Sequence, residues 1–245
     1  MKHRILVCPV AYNERVKIKN VIDRFLKSRA FGKTDYCVVD DGSDDGTSEV
    51  FAGFAPQGVR TVKHPGRSGV GAAIRTAIRY AQNNHYDVLV IMAGNDKDDP
   101  EEIPLVAGPV VEQGFDVAQG SRYLGKAASN GGMPLYRKVA TRLHPFIFSI
   151  FAGRKLTDTT NGFRAMRVAI FDDKRINLDQ EWLNSYELEP YVLYKAVMLG
   201  YKFKEVPVTK IYPPKNSGGY TKMKPFVSWW GILRPLFYLR LGVKT

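Results

Sequence analysis

Two stretches of this 245-residue chain bring carboxylates, a phenol and glycines to the point where an apolar run stops. The first reads Pro9-Val10-Ala11-Tyr12-Asn13-Glu14, and the second reads Val38-Val39-Asp40-Asp41-Gly42-Ser43-Asp44-Asp45-Gly46-Thr47. If the two runs are neighbouring parallel strands, both polar sets lie at the carboxyl edge of an open α/β sheet, where such sheets bind nucleotides. Ionised Asp40 and Asp41 only accept hydrogen bonds, as a base N–H or ribose hydroxyls would need. The same pair equally suits an Asx-type turn that caps a helix at Thr47, with Asp44 and Asp45 in water. A third set, Arg67-Ser68-Gly69-Val70-Gly71, follows another apolar run and opens a helix. Arg67 and the free N–H groups there fit an anion, although tight-turn packing accounts for the glycines as well.

These sets need a scaffold, and the alternation of short apolar runs with helical patterns supplies one: an α/β fold with a mostly parallel sheet. Strands are expected over 5–10, 36–39, 59–62, 88–92, 117–119 and 203–208. Helices are expected over 16–28, 48–54, 71–83, 101–113, 136–151, 188–199 and 225–241, the fourth interrupted by prolines. No repeat or linker divides the chain. One domain over 1–222 is expected, followed by a C-terminal amphipathic helix within 223–245.

Thirty-six Lys plus Arg against 24 Asp plus Glu give a net charge of +12, which calls for an anionic partner. A phosphorylated substrate and an anionic membrane surface both fit. Nucleic acid is not expected, because no recognition motif and no platform of interleaved aromatic and basic residues is present. Cys8 and Cys37 lack a metal-type spacing and read as small core residues. The first apolar run breaks at Pro9, as a strand does and a signal peptide does not. No stretch approaches the roughly 20 apolar residues of a spanning helix. A cytoplasmic protein, peripherally attached to the cytoplasmic face of a membrane, is the expectation.

Four blocks, in this order, resemble family 2 glycosyltransferases of the GT-A fold: 9–14 and 40–47, Gly-Ser-Arg-Tyr at 120–123, and Thr-Asn-Gly-Phe-Arg at 160–164. Within that family the likeness is to the dolichol-phosphate mannosyltransferase and polyprenyl-phosphate glycosyltransferase branch. It is carried by Met133-Pro134-Leu135-Tyr136-Arg137-Lys138, Glu187-Leu188-Glu189, Tyr194-Lys195-Ala196 and Gly200-Tyr201-Lys202, and it spans 4–224. The resemblance implies a single GT-A (Rossmann-like) domain, a UDP- or GDP-linked sugar donor and a polyprenyl-phosphate acceptor. It implies that Pro9, Tyr12, Glu14 and Asp41 surround the donor's base and ribose, and that Asp40 steadies their loop. Arg122 and Arg137 would meet the acceptor phosphate and donor diphosphate, a task suited to a bidentate guanidinium. Lys222 would close over the diphosphate from a C-terminal loop.

One block departs from the family pattern. Where the family carries Asp-Ala-Asp, often with Gln two residues on, to hold Mg²⁺ or Mn²⁺, this chain reads Ala93-Gly94-Asn95-Asp96-Lys97-Asp98-Asp99-Pro100. Aligned on Met92 and Pro100, the ligand positions become Ala93, Asn95 and Lys97. Hard divalent cations need oxygen ligands, preferably charged, so metal binding is expected to be weak or absent. Either Lys97 helps Arg122 neutralise the leaving diphosphate, or the loop shifts so that Asp96, Asp98 or Asp99 becomes a ligand. Strand alternation, if it continued, would put Asp96 and Asp98 on the side opposite Asn95 and Lys97.

The implied reaction is an inverting in-line displacement at the anomeric carbon, driven by positioning and charge compensation. A polyprenyl phosphate would attack with an oxygen that is already anionic. A hydroxyl acceptor would need a base, for which Asp158 and Glu187 are candidates. A lipid also suits Phe226, Trp229, Trp230, Leu233 and Phe237, spaced along one side of the last helix with Lys222, Lys224, Arg234 and Arg240 nearby. The alternatives are a family 2 transferase for a glycan or other soluble acceptor, and a catalytically silent nucleotide-binding module.

Overall fold

The computed structural model describes residues 3–125, 133–212 and 227–245. Its centre is a seven-stranded sheet in the order β3-β2-β1-β4-β6-β5-β7. The strands are β1 (Ile5–Ala11), β2 (Asp35–Asp40), β3 (Val59–Lys63), β4 (Val88–Ala93), β5 (Val117–Ser121), β6 (Arg164–Arg167) and β7 (Phe203–Pro207). The helices are α1 (Arg15–Lys27), α2 (Thr47–Phe54), α3 (Val70–Asn83), α4 (Ile103–Glu112), α5 (Leu135–Ala152), α6 (Leu188–Met198) and α7 (Val227–Arg240). Residues Pro100–Glu102 form a separate 3₁₀ turn ahead of α4, where the sequence suggested one proline-broken helix.

β4 shows why the sheet is covered on both faces. Leu89 and Ile91 join one buried cluster, while Val88, Val90 and Met92 join the other, as the period of two along a strand demands. α1 fills the second face with Ile18, Val21, Ile22 and Phe25, spaced three and four apart. α3 fills the first with Ala73, Ile74, Ala77, Ile78 and Ala81, joined there by residues of α5, α6 and α7.

β6 is the element the sequence reading lacked, and it runs antiparallel to both β4 and β5. Its four residues, Arg164–Arg167, are too few for a periodic signal, and two are arginines. Arg164 is nevertheless buried. A tertiary partner makes that burial tolerable: its guanidinium donates to the Glu189 carboxylate at 3.2 Å and to the Asn161 carbonyl at 3.0 Å.

The strand order reverses between β1 and β4, with β2 and β3 on one side and β6, β5 and β7 on the other. A crevice therefore opens outside the carboxyl ends of β1 and β4. Tyr12 to Glu14 leave β1 on one wall and Gly94 to Lys97 leave β4 on the other. The two walls approach closely: Gly94 N–H donates to the Val10 carbonyl at 2.9 Å, and a Cβ on Gly94 would lie 2.8 Å from that same oxygen.

Candidate active site

Tyr12 and Arg67 meet on the β1 side of the crevice, with the guanidinium carbon 4.7 Å from the ring centroid. At this distance the cation rests on the ring face as a cation–π pair does. Asn13 ties its loop to the neighbouring one, its amide donating to Asp44 at 2.7 Å and its backbone N–H to the Ser43 hydroxyl at 3.0 Å. Glu14 faces Lys17 at 3.1 Å.

The tandem aspartates hold the loops together, which is the turn-forming reading of the pair. Asp40 accepts from the Ser43 N–H at 2.9 Å and from the Ser43 and Ser48 hydroxyls. Asp41 accepts from the Ser68 and Gly69 N–H groups at 2.9 Å each and faces His64 at 3.0 Å. Both carboxylates are buried, and Asp41 shapes the Arg67 loop at the edge where the resemblance puts the donor's base and ribose. Pro9 is buried within β1, two residues before the strand ends.

Lys97 is buried beside Tyr212, with Nζ 5.9 Å from the ring centroid. Burial, with Arg137, Lys210 and Lys17 adding repulsion, pulls its ammonium down to about 8 against the pull of Glu14. Asp96 adopts φ +58°, so the extended geometry breaks there. The three aspartates of the loop consequently diverge. Asp96 and Asp99 both pair with Arg24 of α1, at 2.8 and 2.9 Å. Asp98 turns inward, accepts from the Ala93 N–H at 2.8 Å and pairs with Lys210 at 2.5 Å. Placing Asp96 and Asp98 on one side is thus corrected. Among the described residues no group of three metal-ligating side chains is present. Ala93 and Lys97 have no ligand oxygen in their side chains, and each aspartate is held by a cation, so the residues present do not fit Mg²⁺ or Mn²⁺.

Arg122 is the largest correction. Its guanidinium is buried against Asp158, with bonds of 2.6 and 2.7 Å, and also donates to the Tyr212 hydroxyl at 3.0 Å and to Thr160. Burial would lower its pKa, but the Asp158 carboxylate overrides that and raises it. Burial likewise opposes the Asp158 charge, and Arg122 still holds that carboxyl below its ordinary value. Arg122 is therefore a positioning residue for Tyr212, and Asp158 is unsuited to be a general base. Glu187 is equally committed, paired with Arg234 at 2.7 Å.

Arg137 does arrive at the crevice. Its guanidinium lies 5.8 Å from the Tyr212 ring, and its Nη1 is buried without a hydrogen-bond partner among the described residues. Lys210 and Tyr212 were missed because they follow β7 without a motif, and only the sheet brings them beside β4. Asn95 ends with a buried Oδ1 that has no hydrogen-bond partner among the described residues. Lys222 lies outside the described residues.

Known proteins carry the matter further. The family described as Glycosyl transferase family 2 matches residues 7–174. The chain belongs to this family of glycosyltransferases. Polyprenol monophosphomannose synthase of Mycolicibacterium smegmatis is 29% identical over 238 residues, covering 94% of this chain and 87% of that protein. Glucosyl-3-phosphoglycerate synthase of Mycobacterium tuberculosis, solved with Mn²⁺, UDP-glucose and phosphoglyceric acid, has a TM-score of 0.65 at 18% identity and covers 99% of this chain and 81% of that one. Mannosyl-3-phosphoglycerate synthase of Rubrobacter xylanophilus has a TM-score of 0.68 at 14% identity, covering 99% and 76%. The fold is that of these GT-A enzymes.

These structures correct the expected polyprenyl-phosphate acceptor. A fold matching 99% of the chain is paired there with phosphoglyceric acid, a small soluble acid bearing one phosphate, so this architecture does not call for a lipid. The burial of Arg122 removes one of the two arginines that had been assigned to a lipid phosphate.

Proposed function

We propose that this family 2 transferase moves a sugar from a nucleoside diphosphate to a small soluble acceptor bearing a phosphate. The observation that carries the acceptor class is the likeness of the fold to the enzyme solved with phosphoglyceric acid, while the gathering of Lys97 and Arg137 around Tyr212, across the crevice from Tyr12 and Arg67, supports the nucleoside diphosphate donor. The cation–aromatic pair suits a base and the inner part of a nucleotide. The cationic group suits phosphate oxygens at the reacting end. In transfer, the acceptor's hydroxyl oxygen forms the new bond to the anomeric carbon and gives up its proton to water, because Asp158 and Glu187 are held by Arg122 and Arg234. The bond from that carbon to the donor diphosphate breaks, and its electron pair leaves on the nucleoside diphosphate. The solved relatives with phosphoglyceric acid support an acceptor of this class.

The experiment is transfer of labelled sugar from a panel of UDP- and GDP-sugars to phosphorylated hydroxy acids and sugar phosphates, with their dephosphorylated counterparts in parallel. Label should enter the phosphorylated acceptors alone. Equal transfer to the dephosphorylated forms would refute a phosphate-reading site.

α5 supports a second feature, contact with an anionic membrane surface. Leu135, Val139, Leu143, Phe146 and Ile150 are exposed and recur at helical spacing. Exposed Lys138 and Arg142 accompany them, and the helix carries no acidic residue. Such a stripe suits the headgroup region of an anionic bilayer. Among the described residues no helix is long and apolar enough to cross a membrane.

A further inference from the structure

We propose that the crevice binds the donor diphosphate directly through Lys97 and Arg137, in place of a divalent cation. The inference rests on the transferase reading and deepens it. The fold delivers Lys97 to the strand-order reversal, where the turn at Asp96 brings the chain back inward. The Lys97 carbonyl accepts the Ile211 N–H at 2.9 Å, which anchors the loop to the segment carrying Tyr212. One aromatic ring then organises both cations, with Lys97 Nζ at 5.9 Å and Arg137 Cζ at 5.8 Å from its centroid. Tyr212 is fixed in turn by the buried Arg122–Asp158 pair through its hydroxyl.

Charge balance supports the assignment. A sugar nucleotide carries about two negative charges on its diphosphate, the number a divalent ion would offset and the number that one lysine and one arginine offset together. Lys210 adds little net charge, because Asp98 lies 2.5 Å from it. It positions instead, donating to Asn161 at 3.1 Å and fixing Asp98 under the β4 turn. The carboxylates of the β4 loop are meanwhile held by Arg24 and Lys210. A fixed cation can stabilise charge developing on the leaving diphosphate as an ion does, with no ligand exchange.

Calorimetric titration of the full chain with UDP and GDP, in EDTA and then in Mn²⁺ or Mg²⁺, tests this. One nucleotide should bind in EDTA with a Kd that metal changes by less than about twofold. Lys97→Gln and Arg137→Gln should each weaken it about tenfold or more, the scale of one lost charge-assisted hydrogen bond. Circular dichroism checks that each variant is folded. Arg137 is only half-buried, so R137Q keeps the test available if the buried Lys97 does not tolerate replacement. The Mn²⁺ electron paramagnetic resonance signal, titrated with protein plus nucleotide, should fall no further than with nucleotide alone. Nucleotide binding that requires metal would overturn the inference and leave the transferase reading standing. Absence of nucleotide binding in every condition would overturn both.

Discussion

His144 shows how one side chain in this molecule couples folding to pH. It is buried under α7, with Nδ1 2.6 Å from the Thr159 hydroxyl and Nε2 3.2 Å from the Ile232 carbonyl. Burial pulls its pKa down to about 4, against the Ile232 carbonyl and the Asp158 charge, which both raise it. The unfolded chain, with a histidine near 6.5, takes up the proton first. Stability from this residue is therefore complete above about pH 6.5 and is lost as pH falls toward 4, by up to about 3 kcal/mol. Urea unfolding at pH 7.5 and 4.5 should show a larger acid loss in the wild type than in His144→Gln, and equal losses would contradict the assignment. Arg122→Met leaves the Asp158 carboxylate buried and unpaired, and thermal or urea unfolding should register a loss of about 3–5 kcal/mol. A loss under 1 kcal/mol would mean that Arg122 is not the buried positioning residue described above. At this scale the sequence named Tyr12, Arg67, Lys97 and Arg137. It could not show that Arg122 and Asp41 are spent on other protein groups, because a motif gives residue types and spacing without the partners a fold supplies.

The junction of α3 with the segment at 183–185 is the element-scale counterpart. Gly71, in the first turn of α3, lies so close to that segment that an added Cβ would stand 2.0 Å from the Leu183 carbonyl oxygen and 2.5 Å from that of Ser185. The Ala72 N–H donates to the Asn184 carbonyl at 3.0 Å, so two backbones touch here without a side chain between them. Gly71→Ala should therefore cost about 1–3 kcal/mol or more through overpacking. In Gly108→Ala the new methyl group meets nothing within 4 Å, and α4 should gain about 0.5–1 kcal/mol. Melting temperatures that moved the same way in both variants would contradict this contrast. The glycine-rich loop read as either anion site or tight turn is, at Gly71, a close backbone approach. β1 to β4 and α1 to α6 were legible from apolar periodicity to within a residue or two. β6 was not, because a four-residue strand containing two arginines has no periodicity to read.

Across the whole molecule, the charge of +12 and the exposed α5 stripe act together. Of the α7 residues expected to face a bilayer, Phe237 packs edge-on against Phe151 at 5.0 Å, Trp229 and Leu233 are half-buried, Trp230 stays half exposed, and Phe226 lies outside the described residues. The longer outward apolar stripe belongs to α5. Flotation with vesicles of anionic lipid should recover the wild type at low salt, and Phe146→Glu with Val139→Glu should abolish recovery without altering the melting temperature by more than a degree or two. Retention of the double variant on vesicles would assign binding to another surface. Raising salt from 50 to 500 mM should weaken retention, because the Debye length shrinks from over 10 Å to under 5 Å. What the sequence by itself determined is the α/β class, the family and the edge of the sheet where the chemistry lies, since strand periodicity and loop motifs are local properties of the chain. Only the tertiary structure decided how the charges are arranged at that edge. Asp41, Asp98, Arg122 and Asp158 are neutralised or hydrogen-bonded by residues up to 112 positions away, and Lys97 and Arg137 are drawn to one ring, Tyr212. Pairing of buried charges is a long-range consequence of packing, and spacing along the chain carries no record of it.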